Sequence, residues 1–187
     1  MKRITPVFVT LALALMVWSC GGNSTLDNTE AAVFLTVDIS EYNPDIDICL
    51  QQTDITISSM EIASEAKNPE ASLGAAQDVN LTRWVIKPYR TDGGSTASPE
   101  WTYDTAVYVP SDGIASLDNY RIYPLRYLGE VPLAHLLPEN DGFDPETGNS
   151  TIRQSFELQI FGQTVSGKNV ATVPVSIDFY FFCLGLS

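Results

Sequence analysis

Basic side chains are scarce in this chain. Ten Lys and Arg stand against 23 Asp and Glu among 187 residues, for a formal net charge of −13. A nucleic-acid binder needs a basic footprint to neutralise phosphates, and this balance excludes one. The same charge argues against lying directly on anionic lipid, because like charges repel. Its plain physical use is solubility, since strong net charge opposes self-association. A cationic partner or divalent cations are the other uses open to it.

Histidine is scarcer still. His135 is the only one, set in the apolar stretch 133–137. No Gly-x-Ser-x-Gly elbow presents a nucleophile. The glycines are scattered through turns, and no Gly-rich loop joins a strand to a helix to cradle phosphate. A hydrolase would need a cleft around His135 or a close carboxylate pair. With 23 acids, chance pairs carry no specificity. The residues give enzymatic chemistry no foothold, so a non-enzymatic role is expected. Internal repeats and heptads are lacking too.

Long apolar runs are limited to one, over residues 4–18, shorter than the roughly 20 residues that span a bilayer. Met1-Lys2-Arg3 precedes it and Ser19-Cys20-Gly21-Gly22 follows. A positive start, a short apolar run and small residues make a secretory signal. Val17-Trp18-Ser19-Cys20 resembles the bacterial lipobox, with Trp18 standing where a small or aliphatic residue is usual. That resemblance implies cleavage before Cys20 and acylation of its thiol. It implies a lipid-anchored protein of the bacterial envelope. Gly21, rather than Asp, after the cysteine implies the outer membrane, by similarity to the sorting of enterobacterial lipoproteins.

On this reading residues 1–19 are the signal, 20–30 the acylated cysteine and a flexible tether, and 31–187 a single domain. About 168 residues remain after cleavage, enough for one domain with a real core. Cleavage removes Lys2 and Arg3 and no acid, leaving the chain two charges more negative. The tether (GGNSTLDNTE) is polar, small and unpatterned. Ten such residues reach at most about 35 Å, which keeps the domain close to its membrane.

Cysteine is limited to Cys20, Cys49 and Cys183. The last two form an even pair in an exported chain, and a disulfide between them is expected. It would tie the beginning of the fold to its end. Only His135 is available to join these sulfurs at a metal, and its spacing fits no zinc pattern.

From residue 31 the hydropathy alternates with period two. Val33, Leu35, Val37 and Ile39 predict one strand; Ile55 and Ile57 predict another, with Met60 and Ile62 resuming one step out of phase. A bulge or sheet crossing at Ser58-Ser59 would absorb that step. Further strands are expected over 79–86, stopped by Pro88, and over 101–109. The aromatic run 120–127, interrupted by Pro124, suits an edge strand or a kink. The last two strand predictions are 152–161 and 175–183, and the turn Ser166-Gly167-Lys168-Asn169 between them joins 156–165 to 170–182 as an antiparallel hairpin. Helix signals are confined to 131–137, with 69–77 read as a helical turn or plain loop. Seven to nine strands with little helix imply an all-β fold, an antiparallel β-sandwich of the immunoglobulin-like or a related class. The Cys–Trp–Cys spacing of antibody domains is missing.

Two groups of residues are candidates for binding. Trp84, Tyr89, Trp101 and Tyr103 are flat rings that stack on sugars or anchor an interface when exposed, and fill the core when not. Asp141, Asp144 and Glu146 belong to the densest acidic segment, 139–146, which supplies oxygen ligands of the kind calcium takes, though not at EF-hand spacing. The expected role is an accessory or structural subunit of an envelope assembly with a protein partner. The alternative is a surface module for carbohydrate or another small ligand, with calcium as a possible aid.

Overall fold

The computed structural model describes residues 30–184. The signal 1–19, the lipidation candidate Cys20 and the tether to residue 29 lie outside the described residues. Nine strands follow one another: β1 Val33–Tyr42, β2 Asp45–Asp47, β3 Ile55–Ala66, β4 Val79–Arg90, β5 Trp101–Val109, β6 Gly113–Tyr123, β7 Thr151–Thr164, β8 Asn169–Ala171 and β9 Val175–Phe182. The helical segments among them are short 3-10 turns, at Ala75–Gln77, Leu125–Gly129, Leu133–Leu136 and Pro138–Asn140. No helix of the described residues is long and apolar enough to cross a membrane.

The smaller sheet has the order β1-β3-β6 and the larger the order β2-β9-β7-β4-β5, with β8 also on β7. The first segment is split between the sheets: β1 pairs antiparallel with β3, and β2 pairs parallel with β9. Strands β8 and β9 share one side of β7, at Phe161–Gln163 and Thr151–Leu158 respectively. Between them Thr172 bridges to Leu35 of β1, and its hydroxyl accepts the Ile160 N–H at 3.0 Å. One edge of the sandwich is thereby closed. Three strands facing six, with the first segment divided between the sheets, make a β-sandwich of the immunoglobulin-like or a related class.

Alternation decides which faces turn inward. Leu35, Ile57, Met60, Ile62, Leu81, Trp84, Ile86, Phe156, Phe179 and Phe181 are all buried between the sheets. The phase slip in β3 is present: Ile57 and Met60 both point inward, and the register against β1 shifts between Ser59 and Ile57. A second irregularity follows Leu81, where β4 carries an extra residue against β7. There a Cβ on Gly162 would stand 2.5 Å from the Asn80 carbonyl oxygen, so only glycine lets the strands approach.

Two strand limits differ from expectation. β4 does not stop at Pro88 but continues to Arg90 against β7. Its pairing with β5 ends at Ile86–Trp101, so the proline's missing N–H falls where no β5 acceptor waits. β6 begins at Gly113 rather than at Tyr120, and Pro124 ends it; Leu125–Gly129 then turns as 3-10 helix. Its inner positions are Ala115 and Leu117 while Ile114 faces solvent, so the alternation is weak. Asn119, with φ at 49°, adds a left-handed step.

Candidate functional site

The aromatic candidates separate. Trp84 on β4, Trp101 and Tyr103 on β5 and Tyr120 on β6 stack in one slot between the sheets. Centroids lie 4.3 Å apart for Trp101–Tyr103, 5.8 Å for Tyr103–Trp84 and 4.6 Å for Trp84–Tyr120. Arg121 covers the outer end, its guanidinium carbon 5.1 Å from the Trp101 ring. The Tyr103 hydroxyl donates to the Arg121 carbonyl at 2.8 Å, and Thr105 and Tyr120 share a hydrogen bond at 2.5 Å. Burial pushes the Tyr103 phenol well above its ordinary range, with Tyr120 adding to the shift, so it stays a neutral donor. Side chains thus join β5 to β6, the edge strands of the two different sheets. Trp84 and Trp101 are buried and present no stacking face. Tyr89 is exposed on the other side of β4, sharing a 3.3 Å hydrogen bond with Ser176. The four rings do not assemble one ligand platform, because strand parity puts Tyr89 outward and the others inward.

The acidic segment is already engaged. Asp144 is buried and accepts from Arg90 at 2.7 Å and from the Thr147 hydroxyl at 2.7 Å. Arg90, its side chain 1% exposed, also holds Asp92 at 2.7 Å. The Glu146 carboxylate accepts from the backbone and hydroxyls of Ser95 and Thr96. Beneath them Gln154 donates to the Ser98 hydroxyl at 2.8 Å. These contacts fasten loop 91–98 to loop 141–149. Burial alone would raise the Asp144 carboxyl, but the Arg90 and Thr147 hydrogen bonds outweigh it and hold it below the usual range. Hydrogen bonds from Thr96 and Ser95 bring Glu146 down to about 2. A calcium site of Asp141, Asp144 and Glu146 is not formed: a guanidinium occupies Asp144, loop donors occupy Glu146, and Asp141 is exposed at the turn. His135 sits half-buried in the turn Leu133–Leu136.

Cys49 and Cys183 are joined as a disulfide, with Cα atoms 5.2 Å apart across 134 positions of sequence. The parallel pairing of Asp47 with Phe182 brings them together. Asp47 rather than His135 lies beside the sulfurs: the Asp47, Cys49 and Cys183 ligand atoms all fall within 4.8 Å of one another.

A further group was not singled out from sequence. On the outer face of the larger sheet the Arg153 guanidinium lies 5.2 Å from the Tyr180 ring centroid, and Tyr180 lies 5.8 Å from Phe182. Farther along, Arg83 lies 5.8 Å from the Phe161 ring. Shallow cavities of about 360 and 290 Å³ flank Tyr180, the first lined by Pro44, Thr91 and Arg153, the second by Thr151, Phe182 and Leu184. The signal was present in β9, whose inward positions Ile177, Phe179 and Phe181 already complete the core. Tyr180 and Phe182 are rings on the other parity, where polar residues are usual.

These features define an all-β sandwich with an aromatic and arginine-bearing outer face. No protein-family model matches the chain, and no curated protein matches it.

Proposed function

We propose that this is a non-enzymatic accessory domain, anchored to the bacterial outer membrane through an acylated Cys20, that docks a protein partner of the envelope. The observation that carries the docking surface is the outer-face group of exposed Arg153 and half-buried Tyr180 and Phe182, extended by exposed Tyr89 and by Arg83 on half-buried Phe161. Arginine and aromatic residues are enriched at protein interfaces: a ring buries large area with few rotatable bonds, and a guanidinium offers five donors in a planar fork. A flat sugar platform is less well served, since the Tyr180 and Phe182 rings are inclined at 44° to one another. The chain enters the sandwich at Glu30, beside Lys168 at 3.2 Å. The Tyr180 group stands at the far end of β9 and β7, so a tether at Glu30 leaves it free to meet a partner.

The test is photo-crosslinking in the native host, with the reactive side chain at Phe182 or, as a control, at Asp38 on the smaller sheet. One defined envelope protein recovered from Phe182 alone is expected, with loss on Arg153→Ala. Equal recovery from both faces, or from neither, would reject the surface. Retention of the Cys20→Ser chain at the membrane, with no acyl mass on the wild type, would reject the anchor separately.

A further inference from the structure

The corner where β2 meets β9 holds more ligand chemistry than a disulfide uses. Asp47 Oδ1 accepts the Cys49 N–H at 3.0 Å. Asp47 Oδ2 is buried and has no hydrogen-bond partner. A buried acceptor without a donor costs free energy and calls for a reason. Both sulfurs are within 4.8 Å of the carboxylate. We propose that reduction of Cys49–Cys183 opens a site for a thiophilic divalent cation of the zinc class, held by the two thiolates and Asp47.

The chemistry balances with a dithiol as reductant. It delivers two electrons and two protons, the S–S bond breaks, both sulfurs become thiols, and the dithiol closes to its own disulfide. The cation then displaces the two thiol protons to solvent and binds the thiolates. Tetrahedral zinc, with Zn–S of about 2.3 Å and Zn–O of about 2.0–2.2 Å, sets ligand atoms roughly 3.5–3.8 Å apart. Atoms already within 4.8 Å reach that spacing by side-chain rotation. Two thiolates and one carboxylate leave the fourth position to water. In the oxidised chain both sulfurs lack the negative charge such a cation needs. The cation would also restore the link between β2 and β9 that reduction removes.

The test uses the full chain in detergent, reduced, freed of reductant under inert gas and titrated with cobalt(II), then zinc. One cobalt per chain is expected, with an intense near-ultraviolet thiolate-to-cobalt band that zinc abolishes. The oxidised chain should show none, and neither should Cys183→Ser, which keeps Cys20 and Cys49. Asp47→Asn preserves the acceptor for the Cys49 N–H and should weaken cobalt by about tenfold or more. An unchanged melting temperature of oxidised Asp47→Asn reports that the corner is intact. No band from the reduced wild type, a band that persists in Cys183→Ser, or equal affinity in Asp47→Asn overturns the proposal.

Discussion

Arg90 and Asp144 meet at 2.7 Å with 1% of each side chain exposed, although 54 positions separate them in sequence. Removing one member of such a pair leaves the other charge buried and under-paired, at a cost of about 3–5 kcal/mol. Asp92 still faces Arg90, so Asp144→Ala should cost about 3 kcal/mol, or roughly 6–12 °C in melting temperature for a domain of this size. Lys168→Ala, which breaks an exposed pair with Glu30, should cost less than about 1 kcal/mol. Thermal melts of the two variants test the contrast.

Acid should loosen the same end of the molecule. Asp92, Asp144 and Glu146 have folded-state pKa values below their ordinary ones, Glu146 at about 2 against 4.5. Groups of this kind stabilise the fold above their unfolded pKa, and the contribution fades as pH falls through the folded value. The loss should therefore run from about pH 4.5 down to about 2, with none near neutrality. Hydrogen exchange of loops 91–98 and 141–149 against pH measures it. Glu146→Gln should flatten the lower part of that profile, and an unchanged profile would count against the assignment.

The disulfide spans 134 positions, and closing so long a loop removes much entropy from the unfolded chain. Cys183→Ser should cost about 3–5 kcal/mol and lower the melting temperature by about 10 °C. An unchanged melt, with two free thiols by mass in the wild type, would rule the bridge out.

Trp84→Ala should cost about 3–5 kcal/mol, because the ring is fully buried and stacked on Tyr103 and Tyr120. Tyr180→Ala should cost about 1 kcal/mol or less, since its ring lies on the outer face. Urea denaturation of the two variants separates a core ring from a surface one. If Tyr180→Ala proves as damaging as Trp84→Ala, the outer group serves stability instead of docking.

Much of the sandwich was legible because alternation is a local signal. Val33 to Ile39 and Val175 to Phe181 declare their inner faces within a few residues, and the step between Ile57 and Met60 exposes the slip in β3. β6 was misread where Ile114 points outward and the inner positions are small. Pro88 misled because its effect depends on where β5 ends, which is a property of the neighbour. The candidate site was less legible, for the same kind of reason. Arg90 finds Asp144, and Asp47 finds two sulfurs, only through sheet register and loop return. Trp84 and Trp101 were recognisable as rings of consequence, but only their depth assigns them to the core.

The split of the first segment between two sheets has a mechanical consequence. β1 leaves Glu30 and runs antiparallel to β3 from Val33–Ala66 toward Tyr42–Ile57. The disulfide and the Arg90 cluster gather at the opposite end. A pull between the residues ahead of Glu30 and a partner held at Tyr180 therefore loads β1 lengthwise. Its hydrogen bonds with β3 must yield together in shear rather than peel one at a time. Beyond them β2 is welded to the last strand, so force reaching Cys49 passes straight to Cys183 and bypasses the body of the sandwich.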